Sequence, residues 1–180
     1  MTEGAGRIIV CPLAAVERVS AEDSPEALIS LMSSPEPVQT PDGIDPDRHL
    51  RLTFNDIADV ALEARGLVPP SEAHVAAIIG AARAWTQERP LLVHCWFGVS
   101  RSPAAAAIIL AALRPDRHAD EIADALRAAA PFATPNRRMV ALGDAALGRE
   151  GTFAAAIGRI GRGAECSEGT PFFLPLAGTA

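Results

Sequence analysis

The sequence predicts an α/β domain with a central, mostly parallel sheet flanked by helices. Three observations point there. Short apolar runs of strand length occupy the first third of the chain. The fully apolar run Leu91-Leu92-Val93 has the pattern of a strand covered on both faces in a parallel sheet. Segments of helical periodicity dominate after residue 100, and strands early with helices late make a layered domain.

Taken in order, Arg7-Ile8-Ile9-Val10 and Leu28-Ile29-Ser30-Leu31-Met32 read as strands, and Leu50, Leu52 and Phe54 alternate with polar neighbours at period two. Between them, residues 33–47 are rich in Pro with Asp42-Gly43 in the middle, which reads as a long surface loop. From Ser71, a plausible N-cap, the residues Val75, Ile78, Ile79, Ala82 and Trp85 fall on one helical face, and Pro90 closes the segment. The run from Leu91 then delivers His94 and Cys95. Residues 102–113 are apolar on every side, so a helix there is buried, with Pro103 suited to its first turn. Two further helices carry Ile122, Ala125, Leu126 and Ala129, then Met139, Val140, Leu142 and Leu147. Residues 1–150 therefore read as one domain. Residues 151–180, with Gly158, Gly161, Gly163 and Gly169, read as an irregular extension packed on it or trailing from it.

At 180 residues the chain is long enough for one substantial core, and with 49% hydrophobic but only 4% aromatic residues that core rests on Ala, Leu, Ile and Val. A net charge of −6 argues against binding nucleic acid or an anionic membrane through the overall field. The three cysteines, Cys11, Cys95 and Cys166, are odd in number and far apart, which disfavours a disulfide framework or a zinc site and fits a reducing cytoplasm. Glu3 precedes any basic residue and Pro12 interrupts the first apolar run, so a signal peptide is not expected. His49, His74 and His118 are scattered, so neither a metal nor another cofactor is expected.

The chemistry concentrates in residues 93–102, Val-His-Cys-Trp-Phe-Gly-Val-Ser-Arg-Ser, which set Cys95 and Arg101 six positions apart between a buried strand and a buried helix. Such a loop suits an anion. A helix N-terminus presents unpaired N–H groups and the positive end of the macrodipole, and successive loop N–H groups form a nest. Gly98 lets the backbone turn close to the ligand, and the planar fork of Arg101 can grip two phosphate oxygens. An ordinary thiol is only a few per cent thiolate at neutral pH, so a cysteine nucleophile needs its anion stabilised. A helix end supplies roughly 0.3 to 2 kcal/mol, which leaves a share to the loop N–H groups, the Ser102 hydroxyl and the Arg101 charge.

The string His94-Cys95-x-x-Gly98-x-x-Arg101-Ser102 after a strand resembles the phosphate loop of protein tyrosine and dual-specificity phosphatases. Thr134-Pro135-Asn136 before a helix resembles the Pro-Asn turn of the same group, and the whole chain is similar to small bacterial tyrosine-phosphatase-like proteins with an added tail. The resemblance implies a cysteine-phosphatase fold of the dual-specificity type. It implies that Cys95 forms a phosphocysteine, that Arg101 binds the phosphoryl group with the N–H groups of Trp96, Phe97, Gly98, Val99 and Ser100, and that Ser102 assists breakdown of the intermediate. An upstream carboxylate acts as acid and then base; Asp56 in Phe54-Asn55-Asp56-Ile57 is the first candidate, with Asp59 and Glu63 as alternatives. His94 supports the loop, and Trp96 and Phe97 either wall an aromatic substrate or pack into the core.

The expected activity is thus a metal-independent phosphomonoester hydrolase, a protein tyrosine phosphatase, acting on a phosphorylated protein or a small aryl phosphate. A phosphate-binding adaptor without turnover and a phosphatase for phosphoinositides are the competing readings. The adaptor gains weight if no candidate acid lies near the loop. Cys11 adds one further expectation, a thiol that could trap an oxidised Cys95 as a disulfide.

Overall fold

The computed structural model describes residues 6–34, 38–58 and 66–177. β-Branched and aliphatic side chains drive four strands into one parallel layer: β1 (Arg7–Pro12), β2 (Ala27–Met32), β3 (His49–Thr53) and β4 (Leu91–Cys95). A fifth strand, β5 (Phe172–Pro175), completes the sheet in the order β3-β2-β4-β1-β5, antiparallel to β1. β4 is the central strand, paired with β1 through Ile8↔Leu91 to Pro12↔Cys95 and with β2 through Ala27↔Leu91 to Leu31↔Cys95. The carboxyl ends of all four parallel strands therefore lie along one edge, where open α/β sheets bind ligands.

The helices divide between the two faces. α1 (Val16–Asp23) covers one face, where Val16, Val19 and Ile44 pack on Ile9, Cys11, Leu28 and Leu92. α2 (Glu72–Ala84), α3 (Arg101–Leu113), α4 (Ala119–Ala129) and α5 (Arg137–Ala146) share the larger core with Ile8, Val10, Ile29, Leu31, Leu91 and Val93. α3 is buried from Arg101 through Ala111, as its all-apolar sequence predicts. Its Ala-rich surface lets neighbours approach closely: a Cβ at Gly143 of α5 would stand 2.6 Å from the Ile108 side chain. That contact explains a glycine inside a helix, where it otherwise costs about 1 kcal/mol.

Two readings of the sequence need correction. Trp85 is not within the helix; it is the C-cap of α2 in extended conformation, buried, and its indole Nε1 donates to the Arg89 carbonyl at 2.7 Å. The irregular extension after residue 150 contains α6 (Thr152–Arg159) as well as β5. α6 is only eight residues long with a glycine N-cap that makes no side-chain cap, and buried Asp144 of α5 supplies it instead, accepting from the N–H groups of Gly151 at 2.7 Å and Ala154 at 2.9 Å. β5 ends in Pro175, which an edge strand tolerates.

Candidate active site

Residues 96–100 leave the end of β4 and enter α3, so the loop sits between the central strand and the helix it feeds. Its carbonyls are turned outward and held there. Leu13 N–H bonds the Trp96 carbonyl at 3.2 Å, Gly169 N–H that of Phe97 at 2.8 Å, Thr134 N–H that of Val99 at 2.8 Å, and Asn136 N–H that of Ser100 at 3.3 Å. With the carbonyls of Trp96, Phe97, Val99 and Ser100 so committed, the N–H groups of Phe97, Gly98, Val99 and Ser100 meet no backbone carbonyl among the described residues. They are left for an anion. The N-cap of α3, Ser100, offers its own helix no side-chain cap, which leaves the first-turn N–H groups free as well.

Gly98 is required where it stands. Its φ is +69°, and a Cβ there would lie 2.9 Å from the Pro12 nitrogen and 3.1 Å from the Cys11 carbonyl carbon. The loop is thus folded tightly over the end of β1.

Cys95 is buried beneath the loop, and the Ser102 hydroxyl donates to its Sγ at 3.2 Å. Arg101 is buried too, at 3% exposure, which no unpaired cation sustains without a partner in prospect. Its Nη1 donates to the Phe54 carbonyl at 2.9 Å and to Ser33 Oγ at 3.1 Å, while its Nε is buried with no partner among the described residues. Holding Nη1 leaves the Nε edge of the guanidinium for a ligand with paired oxygens. Phe54 also lies with its ring centroid 6.0 Å from the Arg101 Cζ and stacks on His74 at 4.7 Å.

The carboxylate of Asp56 joins this group from the segment after β3. Its Oδ1 accepts from Ser100 Oγ at 2.8 Å and from Asn136 Nδ2 at 2.8 Å, while Asp56 itself is exposed. Asn136 in turn caps α5, accepting from Met139 N–H at 3.0 Å. The alternatives Asp59 and Glu63 lie outside the described residues. Trp96 and Phe97 are 39% and 60% exposed, so they stand on the surface of the loop and not in the core.

Behind the loop, His94 is fully buried on the opposite face of the sheet from Cys95, with Nε2 2.6 Å from Ser30 Oγ. Burial pulls its imidazole down to about 4, against a raising contact from the Cys95 main chain, and the Arg101 charge adds to the lowering. Cys11 shares that opposite face, packing with Ile9 and Leu92 while Cys95 packs with Val93. Burial pushes its thiol up to about 12, with the Cys95 charge adding to the rise. Side chains on opposite faces do not meet, so the geometry gives no support to a Cys11–Cys95 disulfide. Among the described residues no group of three His, Cys, Asp or Glu side chains converges as a metal site requires. No described helix is long and apolar enough to cross a membrane.

Solved structures similar to this one include the PTP-2 phosphatase of Cydia pomonella, at 17% identity over 76% of this chain and 83% of that one, with a TM-score of 0.56. DUSP15 aligns at 18% identity over 84% and 86% with a TM-score of 0.55, and PTPMT1 in complex with PI(5)P at 15% over 83% and 89% with a TM-score of 0.54. The chain has the fold of the dual-specificity phosphatases. No family model and no curated protein matches the sequence. The mixed five-stranded sheet with flanking helices is common ground with these dual-specificity folds, and buried His94, Arg101 and Ser102 flank the loop at the end of β4.

The sequence singles out Cys95, Arg101, Ser102 and Asp56, and the structure brings the loop and Asp56 together. The sequence does not single out the residues that hold them. Ser33 and the Phe54 carbonyl fix Arg101, and Asn136 fixes Asp56. The Pro-Asn turn was visible in the sequence, but nothing there told that its amide reaches a carboxylate 80 residues upstream.

Proposed function

We propose that this chain is a metal-independent phosphomonoester hydrolase, a protein tyrosine phosphatase of the dual-specificity type, working through a phosphocysteine on Cys95. The observation that carries the reading is the buried, half-committed Arg101, whose Nε is open beside a loop of inward N–H groups with Cys95 beneath them. Asp56 on the rim of the same loop weighs against the adaptor, which would lack an acid.

In this reading the Cys95 thiolate attacks phosphorus, forming S–P as the P–O bond to the leaving group breaks, and Asp56 delivers a proton to the departing oxygen. Both donors to Asp56 bind Oδ1, which leaves Oδ2 for that proton. Water then attacks the phosphocysteine and gives its proton to Asp56. The S–P bond breaks, inorganic phosphate is released, and the Ser102 hydroxyl steadies the sulfur as it regains its charge. Arg101 and the loop N–H groups meet the charge on the transferring phosphoryl group in both steps.

Phosphotyrosine is the favoured substrate class because the exposed Trp96 and Phe97 present aromatic surface on a loop with no charged residue from 96 to 100. The test is phosphate release from an aryl phosphate and from a phosphotyrosyl peptide with chelator present, for the wild type, Cys95→Ser and Asp56→Ala. The proposal expects chelator-resistant turnover, none in Cys95→Ser, and a loss of about 10²- to 10⁴-fold in kcat for Asp56→Ala. Peptide binding without wild-type turnover would establish the adaptor, and turnover confined to a phosphoinositide would move the substrate class to lipids.

A further inference from the structure

The segment after α6 builds one wall of a cleft beside the phosphate loop. Gly163 N–H donates to Thr134 Oγ1 at 3.0 Å, and Ala164 N–H donates to the Pro131 carbonyl at 3.0 Å. The fit is close, since a Cβ at Gly163 would stand 2.3 Å from the Phe132 main chain. Thr134 in turn gives its own N–H to the Val99 carbonyl of the loop. Two hollows open along this seam. One of about 440 Å³ has Val99, Thr134 and Arg162 in its wall. The other, of about 590 Å³, lies between α5 and α6 and is lined by Thr134, Arg137 and Arg162 together with the buried apolar side chains of Val140 and Ile157. Thr134 and Arg162 border both hollows, so the two form one cleft that runs from the flank of the phosphate loop to the helices behind it.

The charge of this cleft is opposite to that of the chain. The protein carries a net charge of −6, yet among the described residues two guanidinium groups and no carboxylate line the larger hollow. Arg137 is exposed and has neither a hydrogen-bond nor an ion-pair partner among the described residues. Arg162 is exposed as well, and its ion pair with Glu165 at 3.6 Å joins two solvent-facing side chains, a contact worth little and readily exchanged. Neighbouring arginines are committed: Arg127 donates to the carbonyls of Pro131 and Ile160, Arg138 to that of Pro70, and Arg159 pairs with Asp120 and Asp124. A free guanidinium fork at the rim of an apolar hollow suits a carboxylate carried on an extended chain.

We propose that this cleft is a peptide subsite in which Arg137 and Arg162 take an acidic side chain flanking the phosphotyrosine of the substrate, so that the segment after residue 150 sets specificity. A phosphoryl group seated on Cys95 leaves the peptide main chain at the mouth of the loop, and Val99 marks where loop and cleft meet. Val140 and Ile157 receive the aliphatic part of the flanking side chain while its carboxylate meets the two guanidinium groups. A small aryl phosphate has no chain to lay along the cleft. The subsite rests on the phosphatase reading for its phosphotyrosine, and on the cleft alone for its preference for acid.

The experiment compares kcat/KM at low salt for an aryl phosphate and for two phosphotyrosyl peptides that differ only in their flanking residues, glutamate in one and glutamine in the other. The wild type should prefer the glutamate peptide by about tenfold, Arg137→Met and Arg162→Met should each cut that preference about threefold, and the double variant should abolish it, with aryl phosphate turnover within about twofold of the wild type throughout. Arg162 takes part in none of the hydrogen bonds to Asp56 or Asn136, so its variant reads the cleft without touching the acid. Raising the salt to about 0.5 M should erode the wild-type preference and leave the double variant unmoved. Equal rates on the two peptides in the wild type, or a preference that survives in the double variant, would overturn the subsite. A parallel loss on all three substrates in Arg162→Met would make that residue structural and overturn it too. A wild type that turns over none of the three fails the phosphatase reading, and fluorescence anisotropy of the same two peptides then decides the cleft by the same pattern of preference.

Discussion

Asn136 holds Asp56 and Ser100 at once: its side-chain amide donates to Asp56 Oδ1 at 2.8 Å, and its main-chain N–H donates to the Ser100 carbonyl at 3.3 Å. The proposed acid and the phosphate loop are therefore registered by one residue of a third segment. Its Oδ1 also caps α5 through Met139 N–H, so stability and alignment depend on the same side chain.

Those two duties can be separated. Asn136→Ala loses the cap, worth about 0.5 to 2 kcal/mol, and also the donor to Asp56. Asn136→Ser keeps a capping oxygen but has no amide that reaches Asp56. Thermal unfolding should place Asn136→Ser near the wild type and Asn136→Ala a few degrees below it. Both should lose about tenfold in kcat or more, because a misplaced acid costs rate in the chemical step. If Asn136→Ser keeps full kcat, Asn136 does not position Asp56.

Gly98→Ala tests the loop itself. The substitution meets main-chain atoms, Pro12 N at 2.9 Å and Cys11 C at 3.1 Å, which cannot swing away as a side chain could. A left-handed φ for a non-glycine residue costs of order 1 kcal/mol before any clash. The variant should fold with a lowered unfolding midpoint and lose tungstate binding by tenfold or more in calorimetry. Wild-type affinity in this variant would mean that the loop conformation does not set the anion site.

The strands and helices that make the core were legible because each follows a simple period. Leu91-Leu92-Val93 is buried at every position, and residues 102–113 are apolar all round, as a central strand and a central helix must be. The loop string gave Cys95 and Arg101 for a similar reason: its residues are local in sequence and its chemistry demands them. What could not be read were contacts set by tertiary placement, such as Asp144 capping α6 or Ser33 gripping Arg101. Nor could α6 and β5 be read. TFAAAIGR and FFLP are short, interrupted by Gly or closed by Pro, and are stabilised by what they dock on. Cys11 shows the converse, where nearness in the sheet suggested a thiol pair that the alternation of faces does not support.

The buried histidines predict how stability follows pH. His49 and His94 each fall from 6.5 to about 4 in the folded chain, chiefly through burial, and burial lowers His74 too. Between those values the unfolded chain takes up protons that the folded chain refuses, so the stabilisation is complete above pH 6.5 and is lost as pH falls towards 4. Urea midpoints should be flat from pH 8 to 7 and decline from 6.5 to 5, above the ordinary carboxylate range. His49→Gln, whose amide can still hydrogen-bond to both Thr40 and Ser30, should make that decline visibly shallower. An identical slope in the variant would show that His49 does not refuse the proton.

The last prediction concerns the segment after residue 150. β5 pairs with β1 through Arg7↔Pro175 to Val10↔Phe172, and Leu174 and Phe172 enter the main core at 0% and 7% exposure. Arg127 fastens the approach to it, donating to the carbonyls of Pro131 at 2.6 Å, Ile160 at 3.0 Å and Gly161 at 2.9 Å. Gly169 then reaches the phosphate loop, bonding the Phe97 carbonyl at 2.8 Å. A tail so connected is part of the folding unit, and it turns one loop carbonyl outward. Leu174→Ala should cost about 2 to 5 kcal/mol, as for other buried leucines, and unfold in one transition. Gly169→Pro removes the N–H and also sets a Cβ 2.5 Å from the Phe132 ring, so it should weaken tungstate binding and lower the unfolding midpoint together. An early, separate transition in Leu174→Ala that leaves the main midpoint in place would mean that the tail folds independently of the sheet it borders.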